Sequence, residues 1–206
     1  MKRRERGLTL LEALVSVSLV AGLGLTLGFA LLPLQQGSAE TGARLNLDRE
    51  GRRVLAQLRR ELSLSGCKGD GTLQLTIREG LDPVAPGSPG KELSFRRRLG
   101  PAESEDSSEG WSKEITYKLV PQGTFAGIAG EPPRYRLVRT ESGGQEVDTL
   151  HAISSLEFTL VPEAHAVAIR LELLQANPTR RGASALPPLR RVFETRVALL
   201  NRPPGS

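Results

Sequence analysis

The sequence predicts an α+β protein in which one long N-terminal helix packs on an antiparallel β-sheet. A long apolar run spans residues 8–34 and contains one formal charge, that of Glu12. A polar stretch with a helical apolar stripe follows at residues 35–66, and residues 67–206 contain segments that alternate apolar and polar side chains, as strands do. Together with a basic leader at residues 1–7, these patterns divide the chain into a leader, two halves of one helix and a strand-rich domain.

The positive charge of the chain is concentrated in its leader. The 206 residues carry 28 basic and 23 acidic side chains, a net charge of +5, but residues 1–7 alone hold four basic residues and one acidic residue. The remaining 24 basic and 22 acidic residues leave a net charge of +2, which argues against a dominant nucleic-acid surface. A single cysteine, Cys67, excludes an internal disulfide, and the two histidines give little basis for a metal site.

The apolar run is long enough to cross a membrane. As a helix at ~1.5 Å per residue, its 27 residues reach about 40 Å, more than the ~30 Å hydrocarbon core of a bilayer. The basic leader predicts that the N-terminus stays in the cytoplasm while the rest of the chain crosses outward. A cleavable signal peptide with its cleavage site at Gly37-Ser38-Ala39 is the rival interpretation. The apolar region of such a peptide spans about 7–15 residues and does not contain a carboxylate such as Glu12.

A helical pattern persists beyond the apolar run. Its apolar residues are spaced for one face of an amphipathic helix and comprise Leu47, Val54, Leu55, Leu58 and Leu62. Arginines between positions 49 and 60 lie largely away from that stripe. The helix is expected to end near Ser63–Gly66, where a glycine can stop it, and to have breaks at Pro33, Gly37 or Gly42.

Seven later segments show the period-2 alternation of strands and are bounded by glycine, proline and polar clusters. They are Thr72–Arg78, Glu92–Arg98, Lys113–Val120, Arg134–Arg139, Leu156–Val161, Val167–Leu173 and Val192–Leu199. The core residues expected from them are Tyr135, Leu137, Phe158, Leu160, Ile169 and Leu171. Residues 80–90, 100–110, 121–133 and 177–188 are expected to form loops. Because the strands follow one helix, we expect their sheet to pack on the apolar stripe of that helix.

The junction between the leader and the apolar run carries a family resemblance. Arg6-Gly7-Leu8-Thr9-Leu10-Leu11-Glu12 resembles the class III signal of type IV pilins and of type II secretion pseudopilins. The resemblance implies that a prepilin peptidase cuts between Gly7 and Leu8 and that the new N-terminus at Leu8 is methylated. It also implies that Glu12 docks the subunit into a filament. Leu8 stands where the family usually has phenylalanine, so the position remains apolar.

Three distal segments are similar to the PilW branch of minor pilins and to the related GspJ pseudopilins. They are Arg134–Arg139, Ile153–Phe158 and Val197–Arg202, the last with Leu200 where arginine is usual. The resemblance implies a low-copy structural subunit that helps to prime pilus assembly and sits in a tip complex. It further implies a single-pass inner-membrane protein with a periplasmic C-terminal domain, which then moves to the tip of a surface pilus or a periplasmic pseudopilus.

The resemblance also sets the expected partners and leaves alternatives open. The implied partners are other minor pilins, the major pilin or the pseudopilins, the prepilin peptidase, the inner membrane before assembly and a tip adhesin. A minor pseudopilin of a type II secretion system is the alternative within the family. A secreted or membrane-anchored periplasmic enzyme or binding protein is the alternative of another class, and it predicts cleavage after Ala39 or no cleavage.

The other polar clusters do not have the spacing of a known site. The acidic segment 103–109 lacks EF-hand spacing and is expected to be a solvated loop. Strand alternation divides Arg96-Arg97-Arg98 between two faces, which favours ion pairing or a charged sheet edge over DNA binding. His151 and His165 have no partner at motif spacing, and the chain contains no G-x-S-x-G turn. The sequence therefore predicts no enzyme, no metal site and no cofactor.

Overall fold

The protein is one long helix followed by an antiparallel sheet. The computed structural model describes residues 10–66, 73–99, 110–126, 128, 130–178 and 187–199, with the side chains of residues 32–36 excepted. Within these ranges the chain forms a single long helix, α1, and the strands β1 to β9, all of which pair antiparallel. The predicted α+β class is confirmed. The cleavage residues Gly7 and Leu8 lie outside the described residues.

Helix α1 is continuous from Leu10 to Leu62. Its 53 residues, at ~1.5 Å each, give a length of about 80 Å. The backbone stays helical through Pro33, Gly37 and Gly42, so the prediction of breaks at these positions is wrong. Helix propagation is cooperative, and the hydrogen bonds on both sides of such positions outweigh the loss at each one. The helix ends where the sequence predicts, with a turn in which Ser63 N donates to Arg59 O at 2.9 Å.

The nine strands form one sheet whose order along the main path is β2-β1-β4-β5-β6-β7-β8-β9. Their bounds are Leu75–Glu79 (β1), Asp82–Pro83 (β2), Pro89–Gly90 (β3), Glu92–Phe95 (β4), Ile115–Thr124 (β5), Pro133–Glu141 (β6), Val147–Val161 (β7), Ala166–Gln175 (β8) and Leu189–Ala198 (β9). All seven predicted strands are present. The strands β2 and β3 and the first part of β7 fall in segments where no strand is expected.

The short strand β3 lies between β7 and β1, which β4, β5 and β6 separate in the strand order. It pairs with β7 through Pro89↔Thr159 and Gly90↔Phe158. The next residue, Lys91, donates its backbone N–H to Arg78 O of β1 at 3.0 Å. A Cβ on Gly90 would lie 2.6 Å from Ile77 Cγ2 and 2.7 Å from Arg78 O, so only glycine allows this close approach. The sheet therefore curls until β1 and β7 share a neighbour.

The core lies between the curled sheet and the second half of α1. Leu58 and Leu62 of the helix are fully buried with sheet residues such as Phe95, Tyr117 and Phe158. The rings of Phe95 and Tyr117 stack with centroids 6.3 Å apart and planes inclined by 5°. The expectation that the sheet packs on the apolar stripe is confirmed by this shared core.

The predicted core residues are buried with two exceptions. Leu137, Phe158, Ile169 and Leu171 are at most 1% exposed. Tyr135 and Leu160 are only half-buried, so their place in the buried core is a wrong prediction. Both side chains pack against the core cluster but stay partly exposed.

Candidate functional site

The first half of α1 is an exposed apolar helix. Its residues Leu10–Leu31 form a 22-residue segment long and apolar enough to cross a membrane, and none of it is buried against the rest of the chain. Leu10 is 84% exposed and Phe29 is 72% exposed. At ~1.5 Å per residue the segment is about 33 Å long, which matches the ~30 Å hydrocarbon core of a bilayer. An exposed apolar surface of this kind marks a membrane or protein contact.

Two hydroxyl groups on this segment donate hydrogen bonds to backbone oxygens of the same helix. Ser18 Oγ donates to the carbonyl oxygens of Leu14 at 2.8 Å and Val15 at 3.0 Å. Thr26 Oγ1 donates in the same way to Gly22 at 3.1 Å and Leu23 at 2.9 Å. Polar groups in hydrocarbon must find partners inside the protein, because lipid tails offer none. The hydroxyls of Ser18 and Thr26 therefore need no partner outside the helix in an apolar environment.

Glu12 lies in the first turn of α1, on the exposed apolar segment. A carboxylate near a helix N-terminus is stabilised by the helix dipole, by about 0.3–1 kcal/mol at an exposed site. A charge within a bilayer-length segment costs about 2.5–3.5 kcal/mol at its centre and less near an interface. The position of Glu12 at the end of the segment therefore limits this cost while keeping the carboxylate next to the apolar surface.

The second half of α1 is fixed to the sheet by close packing against β9. The helix residues that face the sheet are buried and comprise Ala43, Leu47, Gly51, Val54, Leu58 and Leu62. A Cβ on Gly51 would lie 2.4 Å from Cε2 of Phe193. Because glycine has no Cβ, the aromatic ring on β9 can lie directly against the helix backbone. Next to it, Arg191 Nε pairs with the Asp48 carboxylate at 3.2 Å.

A polar network joins the end of α1 to strands β5 and β6. Arg139 Nε donates to the Glu61 carboxylate at 3.1 and 3.3 Å, and Tyr117 donates its hydroxyl hydrogen to Glu61 Oε2 at 2.9 Å. Gln57 Nε2 in turn donates to the Tyr117 hydroxyl at 3.2 Å. The network surrounds one carboxylate with two donors, so the charge of Glu61 is compensated where the helix meets the core.

Burial and the Glu61 charge set the pKa values in this network. Burial raises the pKa of the Tyr117 phenol well above its usual range, and the neighbouring Glu61 carboxylate raises it further. For Arg139, burial acts to lower the pKa, but the Glu61 carboxylate outweighs it and the net pKa is raised. Tyr117 therefore stays neutral and Arg139 stays charged at ordinary pH, and both act as permanent donors to Glu61.

The sheet domain has a shallow cavity between α1 and the start of β9, but its arginines are already paired. The lining residues include Glu40, Arg44, Leu189, Arg190 and Arg191. Arg44 pairs with Glu40 at 2.6 Å, and Arg190 forms a bidentate pair with Glu172 at 2.7 and 2.9 Å. Arg191 pairs with Asp48, as described above. The arginines that line this cavity are thus paired with carboxylates of the same chain.

The remaining polar candidates are dispersed over the sheet domain. Arg96 and Arg98 are exposed, whereas Arg97 between them is half-buried, as strand alternation predicts. His151 is exposed on β7, and His165 adopts a left-handed conformation with φ 44° at the turn into β8. Among the described residues, no group of three or more His, Cys, Asp or Glu side chains is placed to hold a metal ion. Cys67 and the acidic segment 103–109 lie outside the described part of the chain.

Sequence reasoning missed the contacts that fix α1 to the sheet. A signal for one of them was present, since Glu61 follows Val54 by seven residues and stands beside Leu62 on the apolar stripe. An acidic residue on the buried face of a helix needs a partner in the core. Gly51 similarly continues the stripe four residues after Leu47, at a position where any larger residue would meet Phe193.

Comparison with known proteins gives this chain no relative. No protein-family model matches it, and neither a curated protein nor a solved structure matches it.

Proposed function

We propose that the protein is a minor type IV pilin, a low-copy structural subunit that helps to prime pilus assembly and sits in a tip complex. The observation that carries the proposal is the exposed apolar segment Leu10–Leu31, which continues without a break into a helix packed on an antiparallel sheet. The sequence Gly7-Leu8-Thr9-Leu10-Leu11-Glu12 after a basic leader gives this helix the processing signal that such a subunit needs. We do not assign it an enzymatic activity or a cofactor.

The first step of the proposed pathway is insertion and processing. The apolar segment holds the chain in the inner membrane with the sheet domain in the periplasm, and the basic leader keeps the N-terminus in the cytoplasm. Prepilin peptidase then cuts between Gly7 and Leu8. Glycine before the cut leaves the backbone open to the peptidase, and the new amine at Leu8 becomes methylated.

The second step is docking into a filament. When apolar helices from several subunits pack together, Glu12 leaves both water and lipid headgroups. Pairing of its carboxylate with the N-terminal amine of a neighbouring subunit reduces the desolvation cost that either charge would carry alone. The Glu12 carboxylate thus selects a helix register in which an amine lies beside it.

The continuous helix sets the position of the sheet domain in such a filament. The contacts at Gly51, Asp48 and Glu61 fix the second half of α1 to β5, β6 and β9. The apolar half and the half that carries the sheet domain are then parts of one stiff helix about 80 Å long. Docking of the apolar half therefore determines where the sheet domain lies on the filament surface.

A minor pseudopilin of a type II secretion system is the second candidate. The same apolar helix, leader and sheet domain serve a periplasmic pseudopilus as well as a surface pilus, and the two differ in their partners. Co-purification with a major pilin and a tip adhesin favours the pilus, whereas co-purification with a secretion pseudopilin favours the second candidate. A membrane-anchored or secreted periplasmic protein of another kind shares the apolar helix but predicts no cut after Gly7.

Mass mapping of the N-terminus of the mature protein tests the proposal. From host cells with an active prepilin peptidase, we expect a chain that begins at Leu8 with one added methyl group on its amine. Host cells that lack the peptidase are the control and should retain Met1–Gly7. Retention of the leader in both strains, or a chain that begins after Ala39, would refute the proposed function.

A further inference from the structure

The second half of α1 presents a concentrated basic surface away from the sheet. Five arginines lie exposed within one 12-residue stretch of the helix, here called the arginine face, and comprise Arg49, Arg52, Arg53, Arg59 and Arg60. Among the described residues none of the five forms an ion pair, and Arg53 Nη2 donates to the backbone oxygen of Thr149 at 3.1 Å. The arginine face therefore has no compensating charge within the described part of the chain.

The nearby carboxylates on α1 do not neutralise this face. Asp48 is paired with Arg191 at 3.2 Å, and Glu61 is paired with Arg139 at 3.1 Å. Glu50 is exposed within the same stretch but lies beyond ion-pair distance of all five arginines. The helix thus directs its paired carboxylates toward the sheet and leaves the five arginines without an ion pair among the described residues, with Arg53 also donating to the backbone of β7.

The arginine face continues a seam that begins in the apolar segment. Leu45, Arg49, Arg52, Ala56 and Arg59 are separated by alternating steps of four and three residues, and all five are exposed. The same steps run back through the apolar segment by way of Leu10, Leu14, Val17, Ala21, Gly24, Gly28 and Leu31. This spacing is that of a seam along which two helices pack side by side. Between Leu31 and Leu45 the same steps pass through Gln35, Ser38 and Gly42. Because a straight α-helix drifts by about 20° per heptad from this repeat, a neighbouring helix that covers the apolar part of the seam reaches the arginines by winding around α1.

We propose that the arginine face docks a carboxylate-bearing helix of a different subunit. This inference depends on the proposed function, because it takes the neighbour to be another helix of the same filament complex. Two parallel copies of this chain in register would place arginines opposite arginines, and like charges in close contact destabilise a helix pair. Charge complementarity therefore favours a heterologous neighbour with acidic residues at this level of its helix.

The distance along α1 argues against a lipid headgroup as the occupant. Arg49 follows Leu31 by 18 residues, or about 27 Å of helix at ~1.5 Å per residue. Electrostatic attraction in physiological salt is screened over ~8 Å. A membrane surface at the end of the apolar segment therefore lies too far away to neutralise the arginine face. Nucleic acid is a competing occupant, but it would not use the apolar part of the seam.

Photocross-linking at two positions of the same helix tests the inference. In the full-length chain, expressed in its host, p-benzoylphenylalanine replaces Ala56 in one variant and Val17 in another. Val17 is 68% exposed in the apolar segment and reports on the proposed filament contact, whereas Ala56 lies among the arginines. We expect both positions to cross-link to other subunits, and the peptide linked to Ala56 to be a helical sequence rich in Asp and Glu.

Charge reversal then tests the role of the arginines. The triple variant Arg49→Glu, Arg52→Glu, Arg59→Glu should reduce the Ala56 cross-link by about tenfold or more and leave the Val17 cross-link unchanged. The matched control reverses three exposed cations of the sheet domain, Arg96, Arg98 and Lys113, and should leave both cross-links intact. Replacing the identified carboxylates of the partner by lysine should restore the Ala56 cross-link of the triple variant.

The two positions separate failure of this inference from failure of the proposed function. If Val17 cross-links to filament subunits but Ala56 does not, the inference is wrong and the proposed function stands. The inference is equally wrong if Ala56 links to a second copy of this chain, to a nuclease-sensitive adduct, to lipid or to a peptide without carboxylates. If neither position links to another subunit, both the inference and the proposed function fail.

Discussion

The two halves of α1 share one helix but lie in opposite environments. In the first half Leu23 is 62% exposed, and in the second half Leu58 is completely buried. The difference arises from what the rest of the chain supplies, because the sheet covers only the second half. A leucine that faces the sheet in the second half therefore stabilises the fold, whereas the leucines of the apolar segment in the first half are exposed.

This difference separates the residues that fold the domain from those that would assemble it. Gly51, Asp48 and Glu61 make their contacts inside the chain, with Phe193, Arg191 and Arg139. Glu12 and the apolar segment are exposed, and among the described residues the core cluster includes none of them. Substitutions in the two halves should consequently have separable effects on stability and on assembly.

The largest effect on stability is expected from truncating a buried leucine. Leu58→Ala removes a completely buried side chain from the helix–sheet core and should lower the free energy of unfolding by about 2–5 kcal/mol. The matched variant Leu23→Ala should change it by less than about 0.5 kcal/mol, because that leucine has no contact with the core. Denaturant unfolding in detergent, followed by sheet circular dichroism, measures both. Equal losses would contradict the separation of the two halves.

The next effect is expected at the polar network. Glu61→Gln removes the charge that Arg139 and Tyr117 both contact. It should cost about 2 kcal/mol of stability, because the half-buried Arg139 then keeps Glu141, at 3.5 Å, as its one carboxylate partner among the described residues. Glu50→Gln is the control, because Glu50 is exposed on the same helix and forms no ion pair with another described residue. A double-mutant cycle with Arg139→Gln should recover part of the loss. Additive losses would show that the two side chains do not interact.

A smaller effect is expected where the helix backbone meets Phe193. Gly51→Ala places a Cβ 2.4 Å from the ring and should cost about 1–2 kcal/mol, because the partly exposed ring can move only in part. Gly42→Ala on the same helix has no atom within 4 Å of the new Cβ. It should leave stability unchanged or raise it by up to about 1 kcal/mol, since alanine favours helix. Thermal unfolding of the two variants distinguishes close packing from helix propensity.

The smallest effect concerns acid stability of the sheet, away from α1. The hydrogen bond from Arg190 lowers the pKa of Glu172 below its ordinary value of 4.5. Because the pKa of the folded state is the lower one, the stability from Glu172 is fully present above that ordinary value. It is lost as the pH falls through the pKa of the folded state. Glu172→Gln should therefore lose less stability than wild type between about pH 6 and pH 3. An unchanged pH dependence would show that this pair does not contribute.

The sequence was sufficient for the features that depend on local spacing. The length and low charge of the apolar run predicted the first half of α1. The stripe from Leu47 to Leu62 predicted the second half, because burial of one helix face repeats every three to four residues. The alternation of apolar and polar residues predicted seven strands, because successive side chains of a strand point to opposite faces of the sheet. The apolar segment with Glu12 could be predicted as a candidate site, although Gly7 and Leu8 lie outside the described structure.

Features that depend on tertiary contacts could not be predicted. The first part of β7 was missed because a bulge at Ala152, with φ 62°, places Leu150 and Ile153 on the buried side three residues apart and so removes the alternation. Strands β2 and β3 have two residues each, too few for any period. The partners of Glu61 lie 56 and 78 residues away on strands whose register no local pattern specifies.

The most direct test of the division within α1 compares Glu12→Ala with Glu61→Ala in the host. The amount of each variant in sheared filaments, divided by its amount in the membrane, is measured by quantitative mass spectrometry together with its thermal unfolding. Glu12→Ala should keep the unfolding temperature of wild type and lose about tenfold or more of its incorporation, because it removes the proposed pairing of Glu12 with the N-terminal amine of a neighbouring subunit. Glu61→Ala should lower the unfolding temperature. Wild-type incorporation of Glu12→Ala would contradict the assignment of the first half of α1 to assembly.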